Sequence, residues 1–163
     1  MGYSTDFSGH IQIVPPLNAA EIDYLQKFSD SRRVTRSEGA YFVPDSESER
    51  LNPNRLGVTD YNSQPDGQPS LWCQFLPDDS GESLEWDGGE KTYEAVEWVR
   101  YLIDHFLKEG AIASSSDDEQ FEEFTFNHVL NGELEAQGEE SGDLWLLKVV
   151  NNRVTRHESI ITY

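Results

Sequence analysis

Carboxylates are the one abundant side chain in this sequence with catalytic or cation-binding capacity. Thirty-one Asp and Glu stand against twelve Lys and Arg. Four of the acids, Glu85, Asp87, Glu133 and Glu135, lie in segments of alternating polarity. They are expected on the sheet face opposite Leu84, Trp86 and Leu134, where neighbouring strands would bring them together. Such a cluster would offer hard oxygen ligands to a divalent cation, or a matched acid and base. Other chemistry finds less support. Cys73 sits between Leu71 and Phe75 in an apolar run, which reads as a packed thiol. His10, His105, His128 and His157 have no metal-ligand spacing. The stretch DGGEKT, residues 87–92, fails as a phosphate loop because Glu90 stands where Gly-Lys-Ser/Thr must be contiguous. No catalytic residue, metal ligand or cofactor is assigned.

Charge is the stronger signal. The formal net charge is −19, which disfavours direct binding to nucleic acid or anionic lipid and favours a basic partner. Between Glu109 and Leu147 there are eleven acidic residues and no lysine or arginine. The partner-binding set expected from this pattern is Glu85, Asp87, Glu133, Glu135 and Glu139, joined by Trp72 and Trp98, which fall off the apolar faces and suit interface anchors. Arg32, Arg33 and Arg36 interrupt the acidic trend, and that concentration of positive charge suggests an anchor for a carboxylate or phosphate.

These residues need a framework, and 163 residues with 4 Trp, 7 Tyr and 8 Phe can supply one. A chain of this length buries roughly 70% of its unfolded surface. We expect a single acidic domain over 1–163. Residues 3–14 read as a strand closed by Pro15-Pro16. Asn18 and Glu21 form a capping box ahead of a helix with Ile22, Leu25 and Phe28 on one face. Residues 44–70 lack a sustained period and read as an irregular loop. Strands at 70–76 and 83–86 flank the turn PDDSGE, and a second helix runs from about Lys91 to Gly110 with Val96, Val99, Leu102, Ile103, Phe106 and Leu107 on its apolar face. Residues 111–123 are too polar to pack by themselves and read as a mobile acidic insertion. A strand at 130–139 and a hairpin, 144–150 with 153–157 across Asn151-Asn152, complete the chain. The fold class expected is α+β: an antiparallel sheet with two helices on one face, in ferredoxin-like β-α-β-β-α-β order, plus a C-terminal hairpin.

The words GYSTDFSG, LQKFSDSRR, QPSLWCQF, LEWDGGEK, YEAVEWVRYLIDHFL, LNGELEAQGEE and VVNNRV span most of the chain. Together they resemble an uncharacterised family of small bacterial and bacteriophage proteins with no established activity. The combination of LWCQF and EWDGGEK with the helix that follows carries most of that resemblance. It implies a bacterial or phage cytoplasm, in keeping with a lone cysteine and with an N-terminus lacking an apolar signal stretch. The acidic segment 111–123 is longer than the resemblance leads one to expect.

The function expected from these readings is a non-enzymatic acidic protein that engages a basic protein partner, with no membrane and no direct nucleic-acid contact. An inhibitor that mimics nucleic acid is the sharpest form of that reading. A carboxylate-based enzyme or divalent-cation site on the sheet face is the alternative. A third possibility is a small-molecule site built from the 44–70 loop.

Overall fold

Where the chain changes direction, short polar signals do the work. The computed structural model describes residues 3–53, 57–89 and 92–158. Strand β1 spans Thr5–Val14 and gives way to Pro15-Pro16. Helix α1, Ala19–Ser29, then starts on the expected capping box: the Asn18 side chain accepts from the Glu21 N–H, and Glu21 Oε1 accepts from the Asn18 N–H, each at 2.9 Å. The short strand β2, Thr35–Arg36, pairs with β3, Val58–Asp60, and α2, Glu47–Leu51, lies between them. The 44–70 excursion is therefore partly ordered by local elements.

Strands β4, Phe75–Pro77, and β5, Ser83–Trp86, form the hairpin expected of PDDSGE. Asp78 organises its turn by accepting from Ser80 Oγ, Ser83 Oγ and the Glu82 N–H. The first of these strands is shorter than the expected 70–76, because Leu71 and Ser70 are used elsewhere. The Leu71 carbonyl accepts from the Arg33 N–H, Ser70 Oγ accepts from the Trp98 indole, and Gln74 is left-handed at φ 61°.

Helix α3, Ala95–Leu102, continues into a π-helical turn, Ile103–Leu107, closed by an N–H from Lys108 to the Ile103 carbonyl at 3.1 Å. It starts later than expected. Glu94 is left-handed at φ 58°, and Thr92 is held by the Trp86 indole at 2.8 Å, so residues before Ala95 are not helical; Lys91 lies outside the described residues. All six apolar positions assigned to this helix are buried.

Strands β6, Val129–Gly138, β7, Leu144–Val150, and β8, Arg153–Glu158, finish the fold. Asn151 and Asn152 both have positive φ, 47° and 70°, as a two-residue hairpin turn matched to strand twist requires. The result is an α+β protein with a six-stranded antiparallel sheet of order β4-β5-β1-β6-β7-β8. Phe7, Ile11 and Ile13 of β1, Leu134 and Ala136 of β6, and Trp145, Leu147 and Val149 of β7 join α1 and α3 in one core.

The segment 111–123 departs from expectation. It folds as two 3-10 turns, Ile112–Ser115 and Glu119–Phe121, and it buries Ala111, Ala113 and Phe121. The Phe121 ring packs within 6 Å, centroid to centroid, of Tyr24, Tyr41, Phe106 and Phe124. Partners this remote in sequence supply the apolar surface that the segment lacks by itself. It is an anchored acidic segment, and the expectation of a mobile insertion is corrected.

Candidate functional site

Period-two alternation leaves the second face of the sheet open. That face carries Asp6, Ser8, His10 and Gln12 from β1, Glu133 and Glu135 from β6, Lys148 from β7 and Glu85 from β5. In register, His10 stands beside Glu133, Glu133 beside Lys148, and Lys148 beside Thr155. The next row holds Ser8, Glu135, Leu146 and His157. Glu133 and Glu135 are two residues apart on one strand, about 7 Å, and Glu85 is two strands from them, about 10 Å. Oxygens that share one cation must each approach within about 2.6 Å of it. Among the described residues no group of three or more His, Cys, Asp or Glu has a ligating arrangement. Among the described residues, Glu85, Glu133 and Glu135 line none of the clefts that hold Arg100 and Thr155, Tyr3 and Arg156, Gln64 and Glu94, Gly67 and Ile112, or Asp23 and Leu76.

Two of the expected acids lie outside this face. Asp87 follows β5 and accepts from the Gly89 N–H at 2.7 Å, and burial pushes its pKa up. Glu139 follows β6 and accepts from the Ser4 N–H at 2.7 Å. Both act in chain turns and ends.

The aromatic and basic candidates also separate. Trp98 is fully buried and packs on Phe28 and Tyr101, so it is a core residue and not an interface anchor. Trp72 is half-buried and lines a cleft with Tyr93 and Gln74. Arg32 lies over the Tyr61 ring at 4.3 Å. Arg33 is buried over the Phe28 ring and donates from Nη2 to the carbonyls of Ala40 and Phe42 at 2.8 and 2.9 Å. Burial lowers its pKa to about 10. Arg36 is buried near the Phe42 ring. Adjacency in sequence therefore does not make Arg32, Arg33 and Arg36 a surface anion anchor, since two of the three serve the interior.

What the structure does gather is the acidic segment. Asp117, Asp118, Glu119, Glu122 and Glu123 are all exposed, while Phe121 and Phe124 beside them are buried. Asp118 caps the second 3-10 turn by accepting from the Gln120 N–H at 3.1 Å, and Gln120 in turn donates to the Tyr41 carbonyl at 3.2 Å. The result is a ridge of carboxylates fixed to the core by its aromatic side. Ile112, 57% exposed, adds an apolar contact beside it.

One buried pair escaped the sequence reading. Glu21 and His128 are essentially inaccessible, with Glu21 Oε2 2.8 Å from His128 Nε2. His128 Nδ1 lies 2.7 Å from the Pro15 carbonyl, which can only accept, so Nδ1 carries a proton, and the Glu21 carboxylate at Nε2 favours a second one there. Burial opposes that charge, but the Glu21 carboxylate outweighs it and raises the His128 pKa; Glu21, hydrogen-bonded by His128 and by the Asn18 and Thr125 N–H groups, is correspondingly lowered. Thr125 Oγ1 is also 3.0 Å from Nε2. This is not a nucleophile-base-acid triad, because the acid occupies the same nitrogen as the hydroxyl and the imidazolium has no lone pair to accept a proton. Cys73 offers no nucleophile either, since burial pushes its thiol up to about 12. His105 is half-buried against Tyr101 and 2.5 Å from the Tyr41 hydroxyl, and burial lowers its pKa.

Comparison with family models, with curated proteins and with solved structures yields no match in any of the three. Among the described residues no helix is long and apolar enough to cross a membrane.

Proposed function

We propose that this chain is a non-enzymatic acidic binding protein whose partner is a basic protein, and that it inhibits that partner by occupying a nucleic-acid-binding surface. The observation that supports this reading is the anchored ridge of Asp117, Asp118, Glu119, Glu122 and Glu123, with Phe121 holding it to the core. Charges fixed before encounter cost little ordering on binding, and spaced carboxylates can stand in for a phosphate backbone. Glu133 and Glu135 on the open sheet face extend the negative surface. The resemblance to small bacterial and phage proteins carries no weight here, because no family model matches. A reducing cytoplasmic setting belongs to the same proposal and rests on the lone Cys73.

We read the framework as ferredoxin-like with an appended hairpin. The neighbour order β4-β5-β1-β6, and the contribution of both α1 and α3 to one core, support that reading.

The test is capture of proteins from a cell lysate at low salt, followed by affinity measurements on each captured protein with duplex DNA as competitor. The expected result is a basic nucleic-acid-binding protein that DNA displaces and that binds the five-serine variant of the ridge more weakly. Binding indifferent to both DNA and the variant would refute the proposal.

A further inference from the structure

Acids outnumber bases 31 to 12 in this chain, yet among the described residues Arg100, Lys108 and Arg153 line one cleft of about 770 Å³. The cleft lies between α3 with its π turn and the tip of the β7-β8 hairpin. We propose that it binds a small anion carrying more than one phosphate or carboxylate group.

The cations are placed by the fold. Arg100 donates from Nη2 to the Val154 carbonyl at 2.9 Å, which fixes its guanidinium at the cleft wall and leaves its other N–H groups for a ligand. Lys108 is steadied by Asp104 at 3.0 Å, one helical turn away. Arg153 follows the Asn151-Asn152 turn, is exposed, and has no ion pair among the described residues. Two acids, Asp104 and Glu109, also line the cleft, so three positive charges meet two negative ones. The buried His128 imidazolium beneath is balanced by Glu21. In a chain of net charge −19 this is a local reversal of sign.

The rest of the lining narrows the ligand. Asn127 and Asn151 present amide groups, and no Phe, Tyr or Trp is present to stack on a base. An aromatic nucleotide is therefore a poor fit, whereas a compact phosphorylated or polycarboxylic acid has its charges met by Arg and Lys and its hydroxyls by the Asn amides. The negative field of the whole molecule opposes any anion at long range, so contact hydrogen bonds must supply the affinity, which calls for more than one anionic group.

The experiment titrates the intact chain with pyrophosphate and with citrate at constant ionic strength, by calorimetry and by amide chemical shifts. The expected result is saturable binding of at least one probe, with shifts centred on Asn127, Asn151, Asn152 and Thr155. The better probe distinguishes phosphate from carboxylate chemistry. Lys108→Ala and Arg153→Ala, each confirmed as folded by its melting curve, should each weaken binding roughly tenfold. Lys27→Ala, which removes a cation on α1, should leave it unchanged. Absence of saturable binding of either probe up to millimolar concentration would overturn the proposal. Equal affinity in Lys108→Ala, Arg153→Ala and the unmodified chain, or shifts centred elsewhere, would do the same.

Discussion

His128 sits in a buried ion pair that nothing local announces. Its partner Glu21 is 107 positions away, and its other acceptor is the carbonyl of Pro15. Glu21 itself was legible as half of a capping box, through the short-range Asn18 spacing. Its second oxygen was not, because that oxygen is used only after the 124–128 segment folds against α1. Removing one partner of a buried ion pair leaves an uncompensated charge, so His128→Ala should cost about 3–5 kcal/mol. The pair also sets a pH window. The raised His128 contributes stability fully below its ordinary value of 6.5 and loses it as pH rises through the higher folded value. The lowered Glu21 contributes above its ordinary value of 4.5 and loses that contribution as pH falls through the lower folded value. Urea melts across neutral and mildly alkaline pH should show stability falling as His128 deprotonates. His128→Ala should remove that slope, and a slope that persists in the variant would assign it to another group.

At the scale of elements, features set by neighbouring residues were the readable ones. The Asn18 cap, the Asp78 turn, the Asn151-Asn152 hairpin and the six apolar positions of the second helix all follow from spacing of a few residues. The late start of α3 was hidden, because Glu94 takes a left-handed conformation that its side chain does not favour. The fate of residues 111–123 was hidden for another reason. Counting apolar residues within the segment predicts mobility, but Phe121 is packed by Tyr24, Tyr41, Phe106 and Phe124, three of which lie on distant or separate elements. Two substitutions separate anchor from display. Phe121→Ala should destabilise the fold by about 3–5 kcal/mol, as loss of a buried ring does. Replacing Asp117, Glu119, Glu122 and Glu123 by Ser should cost less than about 0.5 kcal/mol each. Asp118→Ala should cost about 1 kcal/mol because it removes the cap on Gln120. Denaturant midpoints of the variants decide the matter: a Phe121→Ala chain as stable as the parent would mean that the segment is not held by this ring.

On the scale of the whole molecule, composition foretold the charge but not its distribution. Strand adjacency decides whether Glu85, Glu133 and Glu135 meet, and that adjacency is a property of the sheet order, which alternating polarity does not encode. The fold instead spreads these acids across an open face, fixes five more on an aromatic anchor, and turns three cations toward a cleft. Two responses follow from a net charge of −19. Lys27 pairs with Asp23, the half-buried Arg50 with Asp30, Lys108 with Asp104 and Arg156 with Glu158, but twelve Lys and Arg cannot pair thirty-one acids. Repulsion among unpaired acids therefore dominates, and moderate salt should raise the melting temperature by screening it. A fall on adding salt would show that ion pairs dominate instead. The second response concerns association. Ridge carboxylates act on a basic partner before contact, so their attraction enters mainly through the on-rate. Replacing Asp117, Asp118, Glu119, Glu122 and Glu123 by Ser should slow association with a verified partner and flatten its salt dependence, while dissociation changes less. Because Phe121 and Phe124 stay in place, the variant keeps its core and the comparison isolates charge. Stopped-flow or surface-plasmon measurements at several salt concentrations read the slope directly. Unchanged association kinetics would remove the ridge from the interface and leave Glu133 and Glu135 on the open sheet face as the acidic surface to test next.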